Sequence, residues 1–151
     1  AVCPCVCLSV CPCVCPIKFS ELAHEIFLIY PQGNYISASD DTPYLQIGEN
    51  KYGKPILDRI LSGATSLEDA ARCAIVSLDS TIRSNISVGP PVELAMLTAN
   101  QVEAPYHQTF TLNSPMYKSM QKQWTQGLKR TFNRLPRFEW EKKAETGSAQ
   151  K

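Results

Sequence analysis

The sequence has no hydrophobic run of the length and purity that a membrane span requires. Its longest uncharged stretch, residues 1–17, is interrupted by prolines and by six cysteines. The same stretch lacks the basic start and the clean leucine-rich run of a signal peptide. We therefore expect neither a membrane partner nor export, and a cytoplasmic location is the default prediction.

Histidine is scarce, and no nucleotide motif is present. The two histidines, His24 and His107, lie far apart in the chain, and neither belongs to a recognisable metal-ligand motif. No glycine-rich loop of the kind that cradles phosphate occurs. We expect both histidines to be ordinary surface residues, and the sequence predicts no cofactor.

Six of the seven cysteines are concentrated in a repetitive head. The string VCPCVC occurs at residues 2–7 and again at residues 10–15. Zinc sites usually space their cysteines more widely, although thiolates bind zinc or copper(I). Three interpretations stay open: low-complexity sequence without structure of its own, a disulfide cluster, or a metal site. The ligands of that metal site would be Cys3, Cys5, Cys7, Cys11, Cys13 and Cys15.

The charge is distributed unevenly along the chain. Residues 1–115 carry 6 Lys/Arg and 11 Asp/Glu, whereas residues 116–151 carry 9 and 3, so the balances are −5 and +6. A basic tail can bind nucleic acid or acidic lipid. The basic residues here alternate with acids near the end, which favours the solvated face of a terminal helix, and we expect no nucleic-acid partner.

Periodicity and turn residues predict the elements of the body. Residues 25–30 read as a buried strand that pairs with residues 35–39 across a turn. A helix is predicted from Lys54 to Leu61, and Thr65 with Glu68 forms a capping box that starts a second helix. The stripe of that second helix is Leu67, Ala71, Ala74, Leu78 and Ile82.

The remaining segments complete a layered arrangement. Residues 92–97 and 107–112 are predicted strands, and Ser114 and Pro115 open a last helix. Its predicted buried stripe is Met116, Met120, Trp124, Leu128, Phe132 and Leu135. We interpret Cys73 as a small buried residue and Asp79 as lying on the outer side of its helix, either solvated or in contact with another subunit. Short connections between paired strands predict a layered α/β (α+β) fold with antiparallel sheet.

Two long and idiosyncratic segments carry a family resemblance. The segments DTPYLQIGENKYGKPILDR and DSTIRSNISVGPP, together with the tail YKSMQKQWTQGLKRTFNRLPRFEWE, resemble the bacterial Anbu family, proteasome-like relatives of proteasome β subunits. The resemblance runs from about residue 25 to residue 141. It divides the chain into a Cys/Pro-rich head (1–20), the C-terminal half of a proteasome-type peptidase domain (21–141) and a polar tail (142–151). We expect the tail to be disordered, and the head to be either disordered or an artefact of repetitive coding sequence.

The resemblance implies a function as well as a fold. It implies part of the four-layer sandwich of an N-terminal-nucleophile hydrolase, a threonine peptidase that cleaves peptides or unfolded proteins. It implies a homo-oligomeric assembly with sister subunits and no cofactor. The half that would carry the threonine is not matched, so we expect this chain to be inactive by itself. A noncatalytic assembly module or a metal-binding head are the alternatives.

Two serines are the site residues that the resemblance implies. By position, Ser84 and Ser87 match an aspartate and a serine that support the threonine amine in proteasome β subunits. Ser84 departs from the family's aspartate, which leaves the electrostatic part of that role without a match. The glycine-serine-glycine turn of the family would fall at residues 48–50, where the sequence reads GEN.

Overall fold

A computed structural model describes residues 27–98 and 106–141, together with the backbone of Cys7–Leu8. In chain order, the elements are the strands and helices β1 (Cys7–Leu8), β2 (Phe27–Ile29), β3 (Tyr35–Ser37), β4 (Leu45–Gln46), α1 (Lys54–Ile60), α2 (Leu67–Ser84), β5 (Val92–Met96), β6 (Tyr106–Phe110) and α3 (Pro115–Asn133). The mixed α/β class predicted from the sequence is confirmed. Most of the head, residues 21–26 and the tail after residue 141 lie outside the described residues, so the predicted domain boundaries and disorder stay predictions.

The strands pair in small sheets. β2 and β3 form an antiparallel hairpin with Leu28 opposite Ile36, and β5 and β6 form a second one with Leu94 opposite Gln108. Both predicted pairings are confirmed. β1 runs parallel to β4, with Cys7 opposite Leu45, so two residues of the head join the body through backbone pairing.

The prediction that residues 25–30 form a buried strand is wrong for the part that is described. Phe27 and Leu28 are half-buried, whereas Ile29, Tyr30 and every residue of β3 are exposed. Apolar composition favours a strand, but burial requires an element packed over it. Across the described ranges, the hairpin has strand contacts only within itself.

The start of α2 differs by one residue from the predicted capping box. Ser66 is the N-cap, and its Oγ accepts a hydrogen bond of 3.1 Å from the backbone N–H of Asp69. The Oγ1 of Thr65 instead accepts from the N–H of Ser62, which closes the turn between the two helices. Either hydroxyl could cap a helix, and the geometry of the preceding turn decides between neighbouring candidates.

Helix α2 is the centre of the described core. On one side its small residues Ala70, Cys73 and Ala74 pack against Leu57 of α1 and against Tyr44. On the other side a second cluster joins α2 to the β5–β6 hairpin and to α3; its members are Ile75, Val92, Phe110 and Tyr117. The predicted Leu67–Ile82 stripe is buried or half-buried throughout, as expected.

Gly53 sets the closest approach of α1 to α2. A Cβ added at this position would overlap Ser77 Oγ and would lie 3.0 Å from both the Ser77 carbonyl oxygen and Thr81 Oγ1. A side chain at this position would force Ser77 or Thr81 to move, so the glycine lets the first turn of α1 contact the middle of α2.

The predicted buried stripe of α3 is only half correct. Met120 and Trp124 are half-buried, but Met116, Leu128, Phe132 and Leu135 are exposed, and the deeply buried residue is Tyr117. The periodicity gives the correct face of the helix. Within the described residues α2 and the β5–β6 hairpin cover only its first half, so the second half of the face is bare.

Candidate functional site

The two loops that carry the family-like positions meet at the end of α2. After β4, Gly48 adopts a positive φ of 78°, a conformation that favours glycine, and the chain turns into Glu49. Helix α2 ends at Ser84 with Asn85 as its C-cap, whose backbone N–H donates to the Thr81 carbonyl at 2.8 Å. The turn before α1 and the loop after α2 are neighbours, because Asn85 and Glu49 are hydrogen-bonded to each other.

Asn85 is the residue that joins these loops. Its Oδ1 accepts hydrogen bonds from the backbone N–H and from the Oγ of Ser87, at 2.9 and 2.7 Å. Its Nδ2 donates to Glu49 Oε2 at 3.2 Å, while Glu49 Oε1 accepts from the N–H of Lys51 at 3.1 Å. One half-buried amide therefore orients both a hydroxyl and a carboxylate.

The structure separates the two serines that the sequence singled out. Ser87 belongs to the network of Asn85 and Glu49. Ser84 is exposed on the last turn of α2, and its side chain makes no hydrogen bond within the described ranges. Sequence reasoning did not select Asn85 or Glu49, although an asparagine just after a helix, two residues before a serine, is a pattern typical of local side-chain capping.

The chemistry of this cluster is that of a hydrogen-bond acceptor. Ser87 Oγ donates its proton to Asn85, so its lone pairs stay available to accept, and the Glu49 carboxylate offers further acceptor positions. No histidine or lysine among the described residues contacts Ser87 Oγ as a base. The cluster can orient an N–H donor such as an amine, but it lacks the base that would make Ser87 a nucleophile.

A buried carboxylate lies further back along α2. The prediction that Asp79 lies on the outer side of its helix is wrong, since it is buried, with 4% of its surface exposed. Its carboxylate accepts hydrogen bonds from Tyr117 Oη at 3.2 Å, from Gln121 Nε2 and from Arg83 Nε at 2.9 Å. Burial, followed by the charge of Asp79, raises the pKa of Tyr117 to about 12.

The Asp79 network fixes the helix that carries the site. Tyr117 and Gln121 come from α3, so the network ties α3 to the C-terminal half of α2, and Arg83 immediately precedes Ser84. A buried charge is tolerated only when its hydrogen bonds are satisfied, which explains why three donors converge here. The polar residues of α2 therefore position the loop that holds Ser87.

A second polar cluster joins α1 to Tyr44, the residue immediately before β4. Lys54 Nζ donates to Asp58 Oδ1 at 2.8 Å and to Tyr44 Oη at 2.9 Å, and the Tyr44 hydroxyl donates to Asp58. The hydrogen bond from Lys54, then that from Tyr44, lowers the pKa of Asp58. Burial, then the hydrogen bond to Asp58, raises the pKa of Tyr44. The proton stays on the phenol, which indicates a structural role.

The remaining candidates from the sequence are the buried cysteine, the two histidines and the cysteines of the head. Burial raises the pKa of Cys73 to about 11, so its thiol is neutral and buried, as predicted. His107 is an exposed residue whose Nε2 lies 3.7 Å from Glu93 Oε2. His24 and the side chains of the head cysteines lie outside the described residues. In the described part of the chain, no three acidic, cysteine or histidine side chains gather to hold a metal ion.

An apolar groove of about 300 Å³ is lined by residues of α2, the β5–β6 hairpin and α3. It is lined chiefly by Ala71, Ile75, Leu94, Met96, Phe110 and Met120, and it contains none of the site residues. Neither α2 nor α3, the two long helices of the described ranges, has an apolar stretch that could traverse a lipid bilayer.

Solved structures of known proteins match this chain closely. The Anbu complex of Pseudomonas aeruginosa, which forms a helical assembly, is 45% identical with a TM-score of 0.74 over 80% of this chain and 50% of its own. Anbu, the ancestral beta-subunit, of Yersinia bercovieri is 43% identical with a TM-score of 0.77 over 81% and 52%. Anbu of Hyphomicrobium sp. strain MC1 is 38% identical with a TM-score of 0.73 over 77% and 50%.

No family model matches the sequence, and no curated protein matches it. The structural matches nevertheless combine high identity with agreement over most of this chain. They agree in their mixed α/β fold, and they confirm the family that the two idiosyncratic segments indicated. The chain therefore belongs to the Anbu family of proteasome-like proteins, and it spans about half the length of the solved members that it matches.

Proposed function

We propose that this chain is the site-supporting part of a proteasome-type peptidase subunit, which cleaves peptides or unfolded proteins by means of an N-terminal threonine. The observation that carries the proposal is the Ser87–Asn85–Glu49 network. Ser87 is one of the two positions where the resemblance implies support for the threonine amine, and the Glu49 carboxylate, held by Asn85, adds an acceptor that the resemblance does not imply. Ser84, exposed at the helix end, has the weaker claim to that role.

The role of the described residues is to orient, and the nucleophile comes from outside them. An acceptor pair placed next to an amine fixes its direction and stabilises its protonated form. We accordingly expect the 151-residue polypeptide alone to hydrolyse no peptide and to take up no threonine-directed epoxyketone. Covalent labelling of that polypeptide would contradict this division of roles.

A chimera tests the supporting role directly. Residues 27–141 would replace the matching part of the Pseudomonas aeruginosa relative, and epoxyketone labelling of the N-terminal threonine would be followed by mass spectrometry. We expect labelling that slows by roughly tenfold or more in Asn85→Ala and Ser87→Ala, which each remove an orienting hydrogen bond. Gln126→Ala, an exposed change on α3, is the matched control. Labelling that is unchanged in both site variants would overturn the proposal.

The second part of the proposal is assembly with sister subunits. The Pseudomonas aeruginosa relative forms a helical assembly. The bare second half of the α3 face in this chain favours the same behaviour, because exposed apolar stripes are uncommon in monomers. A noncatalytic assembly role would require only this feature and not the Ser87 network. Sedimentation at increasing protein concentration measures it.

A further inference from the structure

The Glu49 carboxylate is held in place by two neutral donors. Its Oε1 accepts from the backbone N–H of Lys51 at 3.1 Å, and its Oε2 accepts from Asn85 Nδ2 at 3.2 Å. Both oxygens accept, which is the hydrogen-bond pattern of an ionised carboxylate. The side chain is half-buried where the turn before α1 meets the end of α2. Each carboxylate oxygen can accept more than one hydrogen bond, so Glu49 keeps acceptor capacity for a further donor.

The cations of the same turn and of α1 do not neutralise Glu49. Lys51 gives it only a backbone N–H, and within the described ranges the Lys51 ammonium forms no ion pair. Lys54 Nζ lies 2.8 Å from Asp58 Oδ1, so its charge is used inside α1. The negative charge of Glu49 therefore has no cationic partner from the elements before α2.

The end of α2 adds negative character to the same place. Arg83 Nε lies 2.9 Å from Asp79 Oδ2, and these two are the charged side chains of the last two turns of the helix. The loop that follows, residues 85–91, contains no charged residue. The aligned peptide dipoles of an 18-residue helix leave partial negative charge at its C-terminal end, which favours a cation there. Glu49 and the end of α2 thus favour the same kind of ligand.

We propose that Glu49 is the counter-ion of the threonine ammonium in the complete subunit, and that the negative charge of the site comes from the turn before α1 rather than from position 84. The proposal rests on the proposed function, which places the amine at Ser87. Ser87 Oγ and the carboxylate bind the two ends of one side-chain amide, that of Asn85. An ammonium group has three N–H donors, enough for both the hydroxyl and the carboxylate.

The counter-ion has a specific consequence for catalysis. A carboxylate close to an amine favours the protonated amine and so raises its pKa. The amine must be neutral to act as the base of the threonine. Glu49 should therefore hold the amine in place while it moves the onset of activity to higher pH. A merely structural role would change the amount of active protein without moving that onset.

The pH dependence of epoxyketone labelling tests the counter-ion in the chimera with the Pseudomonas aeruginosa relative. Labelling rates would be measured by mass spectrometry from about pH 5 to about pH 10, a range that includes the ordinary pKa of an α-amino group. Glu49→Gln keeps the shape of the side chain and removes its charge, so we expect the midpoint of the pH profile to fall by about one unit or more. Poor folding of a variant lowers the plateau of the profile rather than its midpoint.

Two further variants make the test specific to the position of the charge. Glu68→Gln is the matched control, because it removes the same charge at an exposed position in the first turn of α2. Its midpoint should stay at the wild-type value. Glu49→Gln/Ser84→Asp puts a carboxylate on the residue next to Asn85, and it should move the midpoint back toward that of the wild type.

The outcomes that would contradict the proposal differ from one another. A midpoint that Glu49→Gln leaves unchanged, or that Glu68→Gln lowers equally, overturns the counter-ion; slowed labelling in Asn85→Ala and Ser87→Ala then still supports the site-supporting role. A midpoint that Glu49→Gln lowers and Glu49→Gln/Ser84→Asp does not restore overturns the relocation of the charge from position 84. Labelling that none of the site variants changes at any pH overturns the proposed function and the counter-ion together.

Discussion

Both halves of α3 carry apolar residues on one face of the helix. The face is packed against the rest of the chain in the first half and exposed to solvent in the second. Tyr117 and Gln121 in the first half contact the Asp79 carboxylate of α2, and Tyr117 also packs near Phe110, at a ring-centroid distance of 6.5 Å. Leu128 and Phe132 in the second half face solvent. The comparison teaches that helical periodicity specifies which face seeks a partner, whereas the tertiary fold determines whether the same chain supplies it.

The largest expected effect is the difference in stability between two variants that each lose one aromatic side chain, one in the first half of α3 and one in the second. Tyr117→Ala should lower the free energy of unfolding by about 3–5 kcal/mol, because it opens a cavity and leaves Asp79 without one donor. Phe132→Ala should change it by no more than about 0.5 kcal/mol. Urea unfolding at a low concentration, where association is minimal, measures both. Equal losses would show that the second half of α3 is packed within the single chain.

Next in size is the loss of the charge that joins the helices. Asp79→Asn keeps the shape but weakens the hydrogen bonds from Tyr117 and Arg83, so we expect a loss of about 1–3 kcal/mol. Glu68→Gln, an exposed acid at the start of the same helix, is the control and should be nearly neutral. If Asp79→Asn proved as neutral as its control, the network would not be what holds the first half of α3.

A third substitution tests the contact between α1 and α2. Gly53→Ala places a methyl group against Ser77 Oγ and should cost about 1–3 kcal/mol. Gly63→Ala meets open space and should stay within about 0.5 kcal/mol. Adding Ser77→Ala removes the nearest atom and should restore part of the loss. Thermal unfolding of the four chains distinguishes steric overlap from a change in the loop itself.

The smallest expected effect is dependent on pH. Because its pKa is lowered on folding, Asp58 contributes stability above its ordinary value of 3.8 and loses that contribution as the pH falls through the lower folded value. Both Asp58 and Lys54 are about half exposed, so solvent screening keeps the contribution below about 1 kcal/mol. Asp58→Asn should therefore differ slightly from the wild type at pH 7 and converge with it below pH 3. A difference that grows on acidification would contradict this sign.

The sequence was sufficient for the elements that depend on local pattern. The two described hairpins, the three helices and the burial of Cys73 followed from periodicity, turn residues and caps. The choice of Ser66 over Thr65 as the cap did not, because it depends on the geometry of one turn. The family assignment came from two long segments, which carry more information than any composition.

What the sequence could not give depends on tertiary contacts. The face of Asp79 was predicted wrongly because the donors that satisfy it, Tyr117 and Gln121, lie 38 and 42 residues away. Asn85 and Glu49 were missed for the same reason, since their hydrogen bond spans 36 residues. Ser87 was selected only through the resemblance, and its position in that network required the fold.

Hydrogen–deuterium exchange along α3 tests most directly whether the first half of its apolar face is packed within the single chain and the second half only against another copy. The full chain would be labelled at a low and at a high protein concentration, and peptides covering residues 115–124 and 128–140 would be compared. The account predicts protection of the first peptide at both concentrations, and protection of the second only at the high one. Equal and concentration-independent exchange in the second peptide, whether fast or slow, would contradict it.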